Sequence, residues 1–261
     1  MSNPAIEVLL QGSVATVWLN RPEVHNAFDE HLIASLTNAL RQIDSDPGVR
    51  VLVLAGRGKS FCAGGDLGWM RRMASFSDAE NLQDSAALAE MYRALAQLSK
   101  PTIARVHGAA LGGGTGLVAA CDIALATPQA SFGTTEVRLG LIPATISPYV
   151  IAAIGARAAH RYFLTGEKID SECALRLGLV NEICTAETLD TRLSELSGAL
   201  LAGGPAAQSA CKRLIADIAG QPVNAQLIAD TSARIADTRA GAEAREGIGA
   251  FFEKRKPAWN S

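Results

Sequence analysis

Aromatic and charged residues are scarce in this sequence of 261 residues. Only 5% of the residues are Phe, Trp or Tyr and 19% are charged, whereas 48% are hydrophobic. Such an apolar share can fill a sizeable core and excludes a disordered chain, which would be polar and highly charged. The formal net charge is only −2. The sequence therefore lacks the basic excess with which proteins bind nucleic acid or anionic membranes.

Paired cysteine motifs and long apolar runs are also missing. The five cysteines are odd in number and show neither CxxC nor zinc spacing, which predicts reduced thiols and no metal site. No apolar run reaches membrane-spanning length, and the first residues lack the charged region and cleavage site of a signal peptide. We therefore expect a cytoplasmic protein with neither nucleic acid nor membrane among its partners.

Two glycine-rich segments stand out against this background. Residues 111–116 read LGGGTG and follow an alternating, β-branched run at 101–108, while residues 60–66 read SFCAGGD and follow an apolar run at 49–55. Glycines between a strand and a helix leave the backbone N–H groups free of Cβ atoms and pointing out of the helix start. Two such loops can each direct one amide at the same oxygen, which is how an oxyanion hole is built.

The remaining pattern predicts an α/β protein in which strand–strand–helix units recur at a spacing of about fifty residues. Short alternating runs predict a hairpin, and Asp29 is a candidate N-cap for the first helix. Residues 70–77 have no clear period, which predicts a mobile or loosely helical segment. The predicted strands are 6–10, 14–19, 49–55, 101–108, 122–126, 130–132 and, more weakly, 179–183. The predicted helices are 29–43, 79–98, 117–121 after the second glycine loop, 147–154, 156–164, 171–177, 186–202, 206–218, 223–237 and 240–254.

Several of these motifs, in this order, resemble the enoyl-CoA hydratase/isomerase (crotonase) superfamily. They are SFCAGGDL, HGAALGGGTG, ACDIALA, ASFGTTEVRLGLIP and the closing FFEKRKPAW. The resemblance implies a crotonase spiral core at 1–200 and a C-terminal helical trimerisation region at 201–261. It also implies a homotrimer or a dimer of trimers. The substrate would be an acyl-CoA thioester, with coenzyme A arriving as part of the substrate and no separate cofactor.

The resemblance also implies a catalytic set. The oxyanion amides would belong to Ala63 and Gly113, and Glu136 matches the second of the two glutamates found in the family's hydratases. The position of the first glutamate is occupied by Gly116. A pair of carboxylates lets one group activate water while the other supplies a proton. Here Glu136 must do this work alone, or the reaction must need only one base.

Glycine at position 116 also suggests room for a branched acyl chain. Together with DLGWM, RYFLTGE and EKRKPAW it is similar to bacterial methylglutaconyl-CoA and isohexenylglutaconyl-CoA hydratases, which act in leucine and acyclic terpene degradation. We therefore expect a hydratase acting on a 3-branched glutaconyl-CoA. The alternatives are a Δ3,Δ2-enoyl-CoA isomerase, for which one carboxylate suffices, and a generic short-chain enoyl-CoA hydratase. A non-catalytic acyl-CoA- or RNA-binding member fits less well, because both loops and Glu136 are kept.

Further residues of the first loop are candidates for substrate contact. Gly64 belongs to the loop itself, and Asp66 is expected to fix it by accepting backbone N–H bonds. Trp69 and Met70 follow and would line the acyl pocket or simply pack in the core.

Four other residues are candidates elsewhere in the chain. Val24 and His25 occupy the segment whose backbone meets the adenine end of coenzyme A in the family. Arg138 is either a partner for a distal substrate carboxylate or a solvated arginine. Lys254 suits the C-terminal end of the last helix, and it would also suit the coenzyme A phosphates of a neighbouring subunit.

Overall fold

The computed structural model describes residues 4–260, which form nine strands and ten α-helices. The strands are β1 (Ile6–Gln11), β2 (Val14–Leu19), β3 (Val51–Gly56), β4 (Thr102–Val106), β5 (Ala109–Leu111), β6 (Ile123–Ala126), β7 (Ser131–Gly133), β8 (Ile169–Asp170) and β9 (Glu182–Ile183). The helices are α1 (Glu30–Ser45), α2 (Leu67–Met73), α3 (Asp78–Ala96), α4 (Gly113–Ala120), α5 (Ser147–Thr165), α6 (Ser171–Leu177), α7 (Leu189–Ala202), α8 (Pro205–Ile218), α9 (Ala225–Ala240) and α10 (Ala242–Phe252). Short 3-10 helices lie at Pro22–Val24, Glu136–Leu139 and Ala258–Asn260.

The strands form two sheets. The larger has the strand order β1-β2-β3-β4-β6-β9, in which only the β1–β2 hairpin is antiparallel. The smaller has the order β5-β7-β8. β3 is buried along its whole length, as a parallel strand covered on both faces must be, and its apolar sequence VLVLAG suits this position. The strands that precede the two glycine loops therefore lie side by side, since β3 pairs with β4.

The first helix forms as its sequence predicts. The side chain of Asp29 accepts a hydrogen bond from Leu32 N at 2.8 Å and caps the helix. One face of α1 is apolar at helical spacing and packs into the core. The hairpin is confirmed, as is the break between the two helices predicted at 147–164, because Gly155 has φ 75° inside α5.

Three short elements differ from the sequence prediction. Residues 70–77 are predicted to be mobile or loosely helical, whereas the regular helix α2 begins at Leu67, because the Asp66 side chain accepts from Gly68 N and Trp69 N. The sequence also fails to predict β5 and β8, because strands of three and two residues carry too little alternation to be recognised.

The last three helices are attached to the core mainly by polar contacts. Neither α8 nor α9 contains a buried residue, and α10 buries only Ala250. Lys212 on α8 pairs with Asp122 at 2.6 Å, and Arg50 donates to the carbonyl oxygen of Gly203 at 2.6 Å. The division of the chain near residue 200 stays a prediction. In residues 4–260, no helix has both the length and the apolar character needed to cross a bilayer.

Candidate active site

The two glycine loops are hydrogen-bonded to each other. Cys62 N donates to the carbonyl oxygen of Ala109 at 3.0 Å, and Leu111 N donates to that of Cys62 at 2.9 Å. These bonds form an isolated parallel bridge between Cys62 and Ala110. The juxtaposition that the oxyanion prediction required is therefore present.

Glycine is needed where the loops approach most closely. A Cβ atom added to Gly114 would lie 2.3 Å from the carbonyl oxygen of Cys62, closer than atoms can approach. Gly64 has φ 94°, a conformation that other residues rarely adopt. A Cβ on Gly112 would lie 3.8 Å from the Cα of Gly64, so the two backbones are in van der Waals contact there.

The second loop supplies a free amide at the start of α4. Gly112 N is occupied, because it donates to the carbonyl oxygen of Gly133 at 2.7 Å. Gly113 is the first residue of the helix, and its N–H has no hydrogen-bond acceptor among residues 4–260. Because N–H groups of a first helical turn point out of the helix, this amide can bind an oxygen that carries negative charge.

The first loop supplies a different amide from the predicted one. Ala63 N donates to the carbonyl oxygen of His25 at 3.0 Å, so it is not a free donor and the prediction for Ala63 is corrected. Phe28 N donates to Gly64 O and Asp66 N donates to Phe28 O, both at 2.7 Å. Gly65 lies between these two bonds, so its N–H points away from Phe28, and it has no acceptor within the part of the chain that the structure describes. The free amide of this loop is that of Gly65.

Glu136 places a carboxylate beside the second loop. It is the first residue of the 3-10 helix Glu136–Leu139 and is half-buried. Its Oε1 would lie 3.2 Å from a Cβ on Gly112, the residue before the free amide. Its Oε2 is buried and has no hydrogen-bond partner among residues 4–260. Burial raises the pKa of this carboxyl above its ordinary value, since the charged form loses solvation.

The space expected at Gly116 is already filled. A Cβ on this fully buried glycine would lie 2.2 Å from Ile146 Cγ2 and 3.0 Å from Tyr92 Cε1. The prediction that Gly116 opens room for a branch is therefore wrong. Carbon atoms of Ile146 and Tyr92 occupy the position at which a second carboxylate would begin.

Tyr92 is a residue that the sequence pattern does not reveal. Its side chain comes from α3, is fully buried, and donates from Oη to the carbonyl oxygen of Gly113 at 2.9 Å. Phe28 packs against it edge-on at 6.4 Å between ring centroids. Burial raises the pKa of the Tyr92 hydroxyl well above its usual range, with smaller contributions from Cys62 and Glu136. The hydroxyl therefore stays protonated and acts as a donor.

Asp66, Trp69 and Met70 shape the first loop. Asp66 caps α2, as expected, and also pairs with Arg21 at 3.1 Å. Trp69 is buried in the main core and donates to Asp84 at 3.1 Å, which fits the core alternative for this residue. Met70 lies against Gly65, because a Cβ there would be 3.3 Å from Met70 Cγ. Met70 and Trp69 therefore both border the free amide, since the same Cβ would lie 3.6 Å from Trp69 Cε3.

Of the other candidates, His25 contacts the first loop through its carbonyl oxygen, which accepts from Ala63 N. Val24 ends a 3-10 helix, and the exposed His25 has φ 55° and contacts Ser60 through Nδ1 at 3.1 Å. Arg138 packs on Gly166 at the end of α5, since a Cβ there would lie 2.9 Å from Arg138 Nε. Lys254 is exposed beyond the end of α10.

The chemistry of the site comes from four groups. They are two backbone amides, one carboxylate and one phenolic hydroxyl. Two amides can stabilise an oxyanion, and the carboxylate can move a proton. Among residues 4–260, no His, Cys, Asp and Glu side chains are grouped so that they could hold a metal ion.

Comparison with known proteins agrees with this chemistry. The family model described as enoyl-CoA hydratase/isomerase matches residues 10–261. A crystal structure of an enoyl-CoA hydratase from Shewanella pealeana has a TM-score of 0.95 and 41% identity, covering 98% of this chain and 96% of that one. The mitochondrial enoyl-CoA hydratase of Pongo abelii is 34% identical over 94% of this chain and 82% of its own length. The crotonyl-CoA hydratase of Syntrophomonas wolfei is 30% identical over 93% of both chains.

These matches confirm the predicted crotonase fold and the resemblance to the superfamily. The names of these three relatives are those of general or short-chain hydratases, and none of the three mentions a glutaconyl substrate. The chain belongs to the enoyl-CoA hydratase/isomerase family and is an enzyme of the hydro-lyase type.

Proposed function

We propose that the protein hydrates 2-enoyl-CoA thioesters with Glu136 as its single proton-transferring carboxylate. The observation that carries this proposal is the position of Glu136, which lies beside Gly112 with one buried oxygen that has no partner in residues 4–260. The thioester oxygen would accept hydrogen bonds from Gly113 N and Gly65 N. Loss of one such donor typically costs about 3–4 kcal/mol of barrier.

The reaction balances with one carboxylate. Water loses a proton to Glu136 as its oxygen bonds to the β-carbon, and the π electrons move onto the thioester oxygen as an enolate. The protonated Glu136 then returns the proton to the α-carbon, and the carbonyl forms again. A carboxyl with a raised pKa suits both steps, because it accepts and releases a proton more evenly than an exposed glutamate does.

The structure of the substrate's acyl chain is a separate part of the proposal. The expectation of a 3-branched glutaconyl chain depends on room at Gly116 and on Arg138 as a carboxylate partner. Ile146 fills the first, and Arg138 packs on Gly166. We therefore propose a straight 2-enoyl chain without a branch at the β-carbon, and we keep the glutaconyl thioester as an arm of the test.

A second candidate function is a Δ3,Δ2-enoyl-CoA isomerase. The observation that favours it is the apolar surface of Ile146 and Tyr92 at the position of a second carboxylate. A bound water needs two or more polar partners, and the carbon atoms of Ile146 and Tyr92 at this position offer it none. Moving a proton from the α-carbon to the γ-carbon requires no such water.

One assay separates these functions. Loss of the absorbance of the unsaturated thioester reports hydration of crotonyl-CoA, 3-methylcrotonyl-CoA and 3-methylglutaconyl-CoA. Formation of the same absorbance from 3-hexenoyl-CoA reports isomerisation. We expect hydration of crotonyl-CoA to have the highest kcat/KM. Isomerisation without hydration would replace the proposal by the second candidate, and preferential hydration of 3-methylglutaconyl-CoA would restore the branched substrate.

A further inference from the structure

Ile146 packs against α4, the helix that begins with the free amide of Gly113. It lies immediately before α5 and is 2% exposed. Its Cγ2 methyl is the nearest atom to the position of a Cβ on Gly116, at 2.2 Å. The sequence gives no sign of this contact, because the two residues are thirty positions apart.

Ile146 covers the side of α4 that also carries the Cβ position of Gly113, the residue with the free amide; at Gly113 this side is closed by Phe28 and Tyr92. Residues three apart lie on the same side of a helix, so Gly113 and Gly116 share a face. The Tyr92 side chain contacts both glycines. Its Oη donates to the carbonyl oxygen of Gly113, and its Cε1 would lie 3.0 Å from a Cβ on Gly116. The two Cα atoms are separated by about 4.5 Å along the helix axis.

An acyl chain whose carbonyl oxygen binds the Gly113 N–H starts one helical turn from the place that Ile146 fills. Its carbonyl oxygen lies at the Gly113 N–H, and its β-carbon is two bonds from the carbonyl carbon. A side chain on a helix leans toward the N-terminal end, so the volume over Gly116 extends toward this β-carbon. The Cγ2 methyl of Ile146 fills that volume.

We propose that Ile146 is a specificity-determining residue that excludes a branch, a second carbon substituent, from the β-carbon of the acyl chain. The proposal rests on the proposed function, because it assumes a thioester oxygen at Gly113. Isoleucine suits this role because its β-branch allows few rotamers, so the Cγ2 methyl is held in place. The backbone is held as well, since the carbonyl oxygen of Ile146 accepts from Tyr149 N and Val150 N at 3.1 and 3.0 Å.

The test measures the ratio of kcat/KM for 3-methylcrotonyl-CoA to kcat/KM for crotonyl-CoA. Ile146→Ala removes the Cγ2 methyl, and we expect the ratio to rise about tenfold or more, the usual discrimination for one methyl-sized group in an apolar pocket. Ile146→Val shortens the side chain but keeps both groups on Cβ, so the ratio should stay near the wild-type value. Val53→Ala makes an equally buried change in β3, in a core cluster separate from that of Ile146, and should leave the ratio unchanged.

A second variant protects the test against loss of the fold. Ile146→Leu keeps the side-chain volume but removes the branch at Cβ, and it should also raise the ratio. An unchanged ratio in both the alanine and leucine variants, in an enzyme that hydrates crotonyl-CoA, would overturn this inference alone. Failure of the wild-type enzyme to hydrate either thioester would overturn the proposed function on which it rests.

Discussion

Glu136 is a partly buried carboxyl with an oxygen that forms no hydrogen bond within residues 4–260. Such a group lowers stability when it is charged, because it loses hydration without gaining a partner. The same property raises its pKa and keeps its lone pairs free for a proton. The arrangement is unfavourable for folding and favourable for proton transfer, which is typical of a catalytic group.

The first prediction concerns the stability of Glu136→Gln. A carboxyl whose pKa is higher in the folded than in the unfolded state causes no loss below its unfolded pKa. Its cost grows as pH rises from the unfolded to the folded pKa and is constant above the folded pKa. Glutamine has no such dependence. We expect urea unfolding to show the variant gaining stability relative to wild type between about pH 4 and pH 7.5. If the variant and the wild type differed in stability by the same amount at both pH values, the raised pKa of Glu136 would be contradicted.

The second prediction concerns the hydroxyl of Tyr92. Tyr92→Phe removes the hydrogen bond to Gly113 O, which should lower the free energy of unfolding by about 0.5–1.5 kcal/mol. Because Gly113 carries the proposed oxyanion amide, kcat should fall severalfold with little change in KM. The control is Tyr149→Phe, whose ring lies 6.0 Å from that of Tyr92. An equal loss of kcat in the control would mean that the Gly113 contact has no special role.

At the scale of elements, the sequence predicts the two glycine loops better than it predicts which backbone amides in them are free. Both glycine loops, the strands before them and α4 follow from local composition. The identity of the free amide does not, because Ala63 N is taken by the distant carbonyl of His25 and Gly64 turns the chain with a positive φ. Gly116 shows the same limit, since an absent side chain does not indicate which neighbour fills its place.

The third prediction tests the packing of α4. Gly116→Glu places a Cβ against Ile146 and a charge in the core, so it should cost at least about 1–3 kcal/mol of stability. It should not restore a working pair of carboxylates. Gly198→Glu is the control, because this helical glycine in α7 has no atom within 4 Å of its Cβ position. Urea midpoints should fall for the first variant and hold or rise for the second. Equal midpoints would contradict the close packing at Gly116.

At the scale of the whole molecule, the C-terminal region carries more apolar surface than a monomer needs. Side chains of α8–α10 and the α8–α9 connection expose large hydrophobic groups, namely Ile215, Val223, Ile228, Ile235, Ile248, Phe251 and Phe252. Exposed apolar patches of this kind usually mark protein–protein contacts. The fold class could be predicted from motif order, but the partner surfaces of this region are not encoded in any local pattern.

The fourth prediction is therefore a trimer or a hexamer. Light scattering at micromolar concentration should give a mass three or six times 27.3 kDa. Replacing both Phe251 and Phe252 by Asp should lower the mass, because charges at an apolar contact must be desolvated. A monomeric wild-type protein would refute the assembly, together with the proposed role of Lys254 toward coenzyme A on a neighbouring subunit.

Glu136 is the one carboxylate on which the proposed proton transfer depends. The most direct test is the steady-state hydration of crotonyl-CoA by wild type and by Glu136→Gln. Glutamine keeps the shape and a hydrogen bond but cannot cycle a proton, so kcat should fall by a factor of about 10²–10⁴ with KM within severalfold. A variant that kept more than about a tenth of the wild-type kcat would contradict this role, because another group would then carry the proton.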